Sequence, residues 1–494
     1  MQREHNSLPG LIILTFLILA FYGNSCIAQT RATVSINGNS LMPNKYLGNG
    51  VQWDPYQLDY GAVTLEIDDQ DWKKLYDRLD FMRPQVIRVM INTTSSLNNG
   101  KLDPQKNLSN LKPILDYCQS RKVSVTFGDW GGGMVDSSAN LINKENLEFA
   151  AEYLDFLVNE QGYSCIKYYN LINEPNGFWS AADGNYELWR DAAVYFQQSL
   201  ERLKLVNKVQ IMAPDIAIWT ADKTDWVSRS AKDLKGAIGL FDIHTYPSKI
   251  TVNSGEYEKI IKEYRKAAPA NVPMIMGEIG FKFVEDEDSI YQKENLRRAA
   301  SKPYASVEDS QMYVYDHSYG IDMADALFQT INAGYSGCVV WMLDDAMHSK
   351  ESPEKLKVWG FWNILGEEYF GESEESVRPW FYAWSLLTKY MPSGSRVLKM
   401  GNTGDKEIKA VALRYGNAYT IALLNIADED KDVQLSTKNI QTSGKFQKFT
   451  YAKGNLQTSG DHELLADGYL KINESGIEHM SLKPGSLTVL TTLK

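Results

Sequence analysis

Cysteine and histidine are scarce: the 494 residues include 4 Cys and 6 His. Cys26, Cys118, Cys165 and Cys338 are scattered, so no disulfide framework is implied. The histidines are dispersed, with no H-x-H or H-E-x-x-H run, and neither a cofactor nor a metal is expected. A phosphate-binding turn is missing too. "GNGVQWD" holds Gly48 and Gly50 inside a strand pattern, and no third glycine opens a helix, which discounts a doubly wound nucleotide-binding sheet. There is no surplus of positive charge: the net charge of −11 disfavours nucleic acid and polyanions as partners. No internal repeat or low-complexity tract occurs, and nothing in the text speaks to oligomeric state. The longest apolar run, "LIILTFLILAFYG" (Leu11–Gly23), is too short to span a bilayer. With Arg3 before it and "SCIAQ" after it, residues 1–28 read as a secretory signal peptide cut near Ala28, which would send the chain to the periplasm, cell surface or exterior. A lipid anchor at Cys26 is the lesser reading, because Gly23 stands where a branched aliphatic residue is expected.

What is present is alternation. Short apolar runs rich in β-branched residues each precede an amphipathic stretch, the pattern of strand–helix units in a parallel sheet. Eight strands are expected: Tyr46–Trp53, Val86–Asn92, Val123–Trp130, Ile166–Pro175, Val209–Ile216, Leu240–Pro247, Val272–Phe281 and Gly337–Asp345. Eight such units fit a (β/α)8 barrel, whose chemistry sits at the C-terminal ends of its strands. The expected barrel covers residues 29–392, with a short lead-in strand. From Gly394 the text changes to alternating runs such as "IKAVALRYG" and "SLTVLTTLK", so 393–494 reads as an all-β sandwich. Long insertions follow the seventh strand (282–318) and the eighth (342–378), and are expected to shape a cleft.

The polar residues that end these strands carry the chemistry. "LINEPNGFWS" (Leu171–Ser180) closes the fourth strand on Glu174, and "MIMGEIGF" closes the seventh on Glu278. Glycoside hydrolysis needs two such carboxyl groups about one bond. Arg88, between Ile87 and Val89 on the second strand, points a guanidinium into the barrel and needs an anion; Glu278 is the natural one, kept ionised and nucleophilic by it. Glu174, beside Phe178 and Trp179, is then the proton donor. Asn173 offers an amide to a sugar hydroxyl, His244 and Tyr246 can bond either carboxylate, and Trp341 is the expected floor under the sugar ring. Trp130, Trp179 and Trp219 on other strand ends suggest a cleft for an oligo- or polysaccharide. Each item alone has a plainer reading. Asn-Glu-Pro is turn chemistry, His244 a satisfied barrel histidine, Trp341 core, and the abundant aromatics fill a large interior as readily as they stack on sugars. Asp129, Asp242 and Asp344 rank lower. What favours function is that suitable residues end the second, fourth, sixth, seventh and eighth strands together.

"NLINEPN", "MIMGEIGF" and Arg88 together resemble the clan A glycoside hydrolases, the retaining group that includes families 5, 30 and 39. The resemblance implies Glu174 as acid/base with Asn173 as its partner, Glu278 as nucleophile with Arg88 as companion, Tyr246 as a strand-six donor and Trp341 as the strand-eight platform. It implies a carbohydrate substrate. A barrel followed by a small sandwich is closer to families 30 and 39 than to the bare barrel of family 5. A non-catalytic glycan-binding protein and a metal-dependent barrel hydrolase are the competing readings.

Overall fold

The computed structural model describes residues 32–60, 63–283, 288–351, 354–440, 445–454, 456–460, 462–472 and 475–494. The expected signal peptide and Cys26 lie outside them. Cys118, Cys165 and Cys338 are free and buried. Among the described residues no helix is long and apolar enough to cross a membrane.

Eight parallel strands form the barrel: β1 (Gly48–Gln52), β2 (Val86–Ile91), β3 (Ser124–Asp129), β4 (Ile166–Asn170), β5 (Gln210–Ala217), β6 (Ile238–Thr245), β7 (Met274–Ile279) and β8 (Gly337–Val340). Each pairs with the next, and β8 closes onto β1 through Gly337 opposite Gly48 and Cys338 opposite Asn49. A helix follows each strand. In Tyr186–Arg202, for example, Asn185 caps the N-terminus by accepting from the Leu188 amide (3.1 Å), and Tyr186, Trp189, Ala193, Phe196 and Leu200 form the buried stripe.

The barrel interior is layered, and the layering positions the site. Val86, Met212, Leu240, Ile275 and Val339 fill one apolar level. Side chains alternate with a period of two, so two residues further along come Arg88 on β2, Asp242 on β6 and Gly277 on β7, all in a polar level. His244 and Glu278 follow toward the C-terminal rim.

The all-β part is a sandwich whose strands run in the order Gly468–Lys471, Lys445–Tyr451, Ser486–Thr491, Ala418–Asn425, Ile408–Tyr415, Arg396–Met400, Ala32–Ser40, Lys431–Ser436, Ile477–Leu482. The lead-in strand therefore belongs here and not to the barrel. Ala32, Val34 and Ile36 alternate as buried residues, and they enter the sandwich core with Leu398, Val433 and Leu435. This strand runs antiparallel to Arg396–Met400 and parallel to Lys431–Ser436, joining the two halves. The sandwich packs on barrel helix His317–Asn332: Tyr451 stacks on His317 (4.1 Å between centroids, 12°) and donates to its carbonyl (2.7 Å).

Candidate active site

The fourth strand ends at Asn170, earlier than its apolar text suggests, because Leu171–Glu174 turns out of the ladder. Glu174 has φ 46°, a left-handed conformation that costs a non-glycine residue about 1–3 kcal/mol. The turn is closed by the Gly177 amide donating to the Glu174 carbonyl (2.9 Å), and the Glu174 amide donates to Asp215 Oδ2 (3.3 Å). Glu174 is thereby lifted over the barrel mouth. Glu278 is the penultimate residue of β7 and is buried.

The two glutamates meet. An oxygen of each, together with a ring nitrogen of His244, lies in a group whose members are all within 4.8 Å of one another. Arg88 Nη1 donates to Glu278 Oε2 (2.8 Å) and to Gln52 Oε1 (2.5 Å), and Nη2 donates to Asn173 Oδ1 (2.7 Å). The last bond fixes the Asn173 amide with its Nδ2 free to donate. Tyr246 donates its phenol to Glu278 Oε1. Trp179 Nε1 donates to Glu174 Oε2 (2.7 Å), and His244 Nδ1 lies 3.2 Å from Glu174 Oε1 and 3.8 Å from Glu278 Oε2. Thus Arg88, Asn173, Tyr246 and Glu278 form one hydrogen-bonded set and Glu174, Trp179 and His244 another, and Asp215, which accepts from both Arg88 Nη2 and the Glu174 amide, bridges them.

Burial pushes the Glu278 carboxyl above the ordinary range, while His244 and Arg88 pull it down and the Glu174 charge adds to the rise. Arg88 is thus a counterion that opposes the rise without cancelling it. For His244 the balance goes the other way. Burial lowers it, but Asp215, Glu278 and Asp242 together hold it well above the usual histidine value against the opposing Arg88. Asp215 is lifted by burial yet held well below the carboxylate range by His244 and Arg88. Asp242 is pushed up to about 7, chiefly by burial, with Asp215 adding to the rise against His244.

Glu174–His244–Glu278 and Asp215–Asp242–His244 are each close enough to be tested as metal ligands. The donor set does not suit a cation. Both His244 nitrogens face carboxylates, Nδ1 toward Glu174 and Nε2 toward Asp215 (3.0 Å), which calls for a proton on each, and an imidazolium has no lone pair to give. Arg88 Nη1 already donates to Glu278 Oε2 (2.8 Å), and its Nη2 lies 3.4 Å from Asp215 Oδ2.

A cavity of about 600 Å³ opens over the two glutamates, lined by Trp130, Asn173, Trp179, Tyr246 and Trp341 among others. A second, of about 320 Å³, shares Trp130 and His348 with it and extends the cleft past Asp54 and Asn92. On the Glu174 side stand Phe178 (83% exposed), Trp179 (48%) and Trp219 (49%). Trp341 corrects an expectation: it is only 7% exposed, because His348 stacks on it (5.2 Å, 14°) and the Lys357 ammonium lies 5.7 Å from its ring centre. It lines the cleft but offers a sugar little open face.

Sequence reasoning missed Asp215, Asn170 and Gln52, which support the group from below, and the loop residues Lys282, Asp309, Lys350, Lys357 and Trp359 on the cavity wall. Asp129 and Asp344 are structural: Asp129 accepts from the Thr93 and Gly131 amides (both 2.7 Å), and Asp344 accepts from Trp362 Nε1 (2.8 Å).

No protein-family model matches the sequence, and a search of curated proteins finds no match. Solved structures do match. A conserved exported protein from Bacteroides fragilis superposes with a TM-score of 0.65 at 12% identity, over 93% of this chain and 100% of that one. A GH30 endoxylanase from Clostridium papyrosolvens gives 0.62 at 13% identity, over 93% and 99%. A GH39 β-xylosidase from Caulobacter crescentus gives 0.55 at 12% identity, over 93% and 99%. The shared feature is the fold. All three matches run through barrel and sandwich alike, as their coverage of nearly the whole chain requires.

Proposed function

We propose that this chain is an exported, retaining β-glycoside hydrolase acting on an oligo- or polysaccharide. The observation that carries the reading is the short gap between Glu174 and Glu278. Retaining enzymes keep their carboxyl groups about 5–5.5 Å apart, whereas inverting ones need about 6.5–9.5 Å to admit a water. Glu174 gives its proton to the glycosidic oxygen as Glu278 attacks the anomeric carbon. The C–O bond to the leaving group breaks and a glycosyl ester forms. Glu174 then takes a proton from water, whose oxygen displaces Glu278. The aromatic shelf of Phe178, Trp179 and Trp219 lies on the acid/base side, where a leaving sugar departs, and the second cavity extends the cleft the other way. Both features suit a chain of sugars more than a small glycoside. Export rests on the N-terminal sequence.

The test is a panel of xylan, glucan, mannan and galactan with their aryl β-glycosides; two of the similar folds carry xylan-directed names. Glu278→Ala and Glu174→Ala should each lower kcat by about 10²-fold or more, and a slow 2-fluoro glycoside should label Glu278. Full turnover in both variants would reject the reading in favour of a glycan-binding protein with contaminating activity. Activity abolished by a chelator would point instead to a metal-dependent hydrolase.

A further inference from the structure

Three barrel strands, β2, β4 and β6, converge on a side chain of a fourth that does not line the cavity. Asp215, at the C-terminal end of β5, is fully buried. Its Oδ2 accepts from Asn170 Nδ2 on β4 (2.8 Å) and from the Glu174 backbone amide (3.3 Å). Arg88 Nη2 on β2 lies 3.4 Å away, and His244 Nε2 on β6 lies 3.0 Å from Oδ1. The histidine contact is an ion pair that is out of line for a hydrogen bond, since Nε2 has no aligned partner. Asp215 itself sits at φ 60°, a second left-handed residue facing the one at Glu174.

We propose that Asp215 is a positioning residue for both glutamates: its buried carboxylate holds the Glu174 backbone directly, and through Arg88 and His244 it sets the groups that face Glu278 and Glu174. The inference rests on the hydrolase reading above. A filler role would not require a charge, because the buried level beneath is closed by Val86, Met212, Leu240, Ile275 and Val339. A buried carboxylate is expensive unless paired and hydrogen-bonded, and here every partner except Asn170 belongs to the reacting pair or touches it. Two left-handed residues next to each other also need an agent that over-determines them; the Asp215–Glu174 amide bond is one.

Asp242 completes the arrangement. It is buried on β6, with Oδ2 3.4 Å from His244 Nε2 and neither oxygen in an aligned hydrogen bond. His244 is thus faced by Asp215 from β5, Asp242 from its own strand, Glu278 from β7, Glu174 from the turn after β4 and Arg88 from β2. Arg88 and His244 balance Asp215 and Glu278, so a proton on Asp242 keeps the buried charge neutral.

The experiment is a pH titration of the full chain with 15N-labelled histidine, the His244 signals being assigned by their loss in His244→Asn. In the parent His244 should hold its proton to a pH above the usual histidine value. In Asp215→Asn, with its strongest stabilising charge gone and only Glu278 and Asp242 left to oppose burial, it should lose its proton at a lower pH. Asp242→Asn, which mimics a protonated acid, should leave the imidazolium in place. On the active glycan, Asp215→Asn should lower kcat by about 10–100-fold, typical for an outer partner of a working group, with KM changed less and the basic limb of the pH profile moved to lower pH. A parent His244 that titrates at or below the usual histidine value, or the same titration in parent and Asp215→Asn, would overturn the proposal. If Asp215→Asn does not fold, the parent titration decides it. If no glycoside is turned over, the hydrolase reading fails while the imidazole titration still judges Asp215.

Discussion

Glu278 is held between desolvation, which favours its acid form, and donors that favour its anion. Tyr246 is one of those donors. Removing the phenol in Tyr246→Phe takes away a hydrogen bond to a charged group, of about 1.5–3 kcal/mol, and so raises the Glu278 pKa further. The nucleophile works ionised, so the acidic limb of kcat/KM should move to higher pH by about one unit or more. An unchanged or lowered acidic limb would contradict this account of the site. At this scale the sequence was readable where a polar side chain interrupted a run of buried aliphatics, as Arg88 does between Ile87 and Val89. Asp215 sits in the similar text "MAPDIAI", inside the expected fifth strand, but was not singled out there. The covering of Trp341 was not readable at all. It depends on His348 and Lys357 folding back from the loop that follows, and no pattern local to the strand reports that.

Strand β7 shows how the elements make room for the chemistry. A Cβ on Gly277 would fall 2.1 Å from Asp242 Oδ1, so the glycine is the space in which the β6 carboxyl lies. Gly277→Ala should destabilise the barrel by about 1–3 kcal/mol, measured by denaturant titration. Adding Asp242→Ala should recover part of that loss, because the two side chains contend for one volume. Purely additive losses would mean that the clash is relieved elsewhere. The barrel strands themselves were legible because β-branched runs alternating with amphipathic stretches leave few other architectures. Their ends were less so: the fourth strand reads through to Pro175 in apolar text, while the ladder stops at Asn170. The long segments after β7 and β8 were recognisable as cleft-forming by length alone. Which of their residues reach the cavity was not, because Lys282, Asp309, Lys350, Lys357 and Trp359 are brought together by loop packing without any periodicity.

At the scale of the whole molecule, barrel and sandwich meet at His317. Burial, with Lys453 adding, pushes its pKa down to about 4. A histidine depressed in the folded state contributes stability that is present above its unfolded pKa and is lost as pH falls toward the folded value. From about pH 6.5 down to about 4 the unfolded chain takes up a proton that the folded junction refuses. His317→Gln should therefore show a flatter loss of melting temperature over that interval than the parent; parallel curves would rule out His317 as a contributor. The division into barrel and sandwich was readable from the change in texture near Gly394. The membership of Ala32–Ser40 was not, since a lone amphipathic strand does not say which sheet it will join. Its place beside Arg396–Met400 and Lys431–Ser436 has a consequence for biosynthesis. The strand emerges from the ribosome more than a barrel's length before either neighbour exists, so it must wait unpaired while the intervening polypeptide is made. The sandwich is then sewn shut from both extremities of the described chain, and a tag or truncation at the front will be felt in the domain at the back.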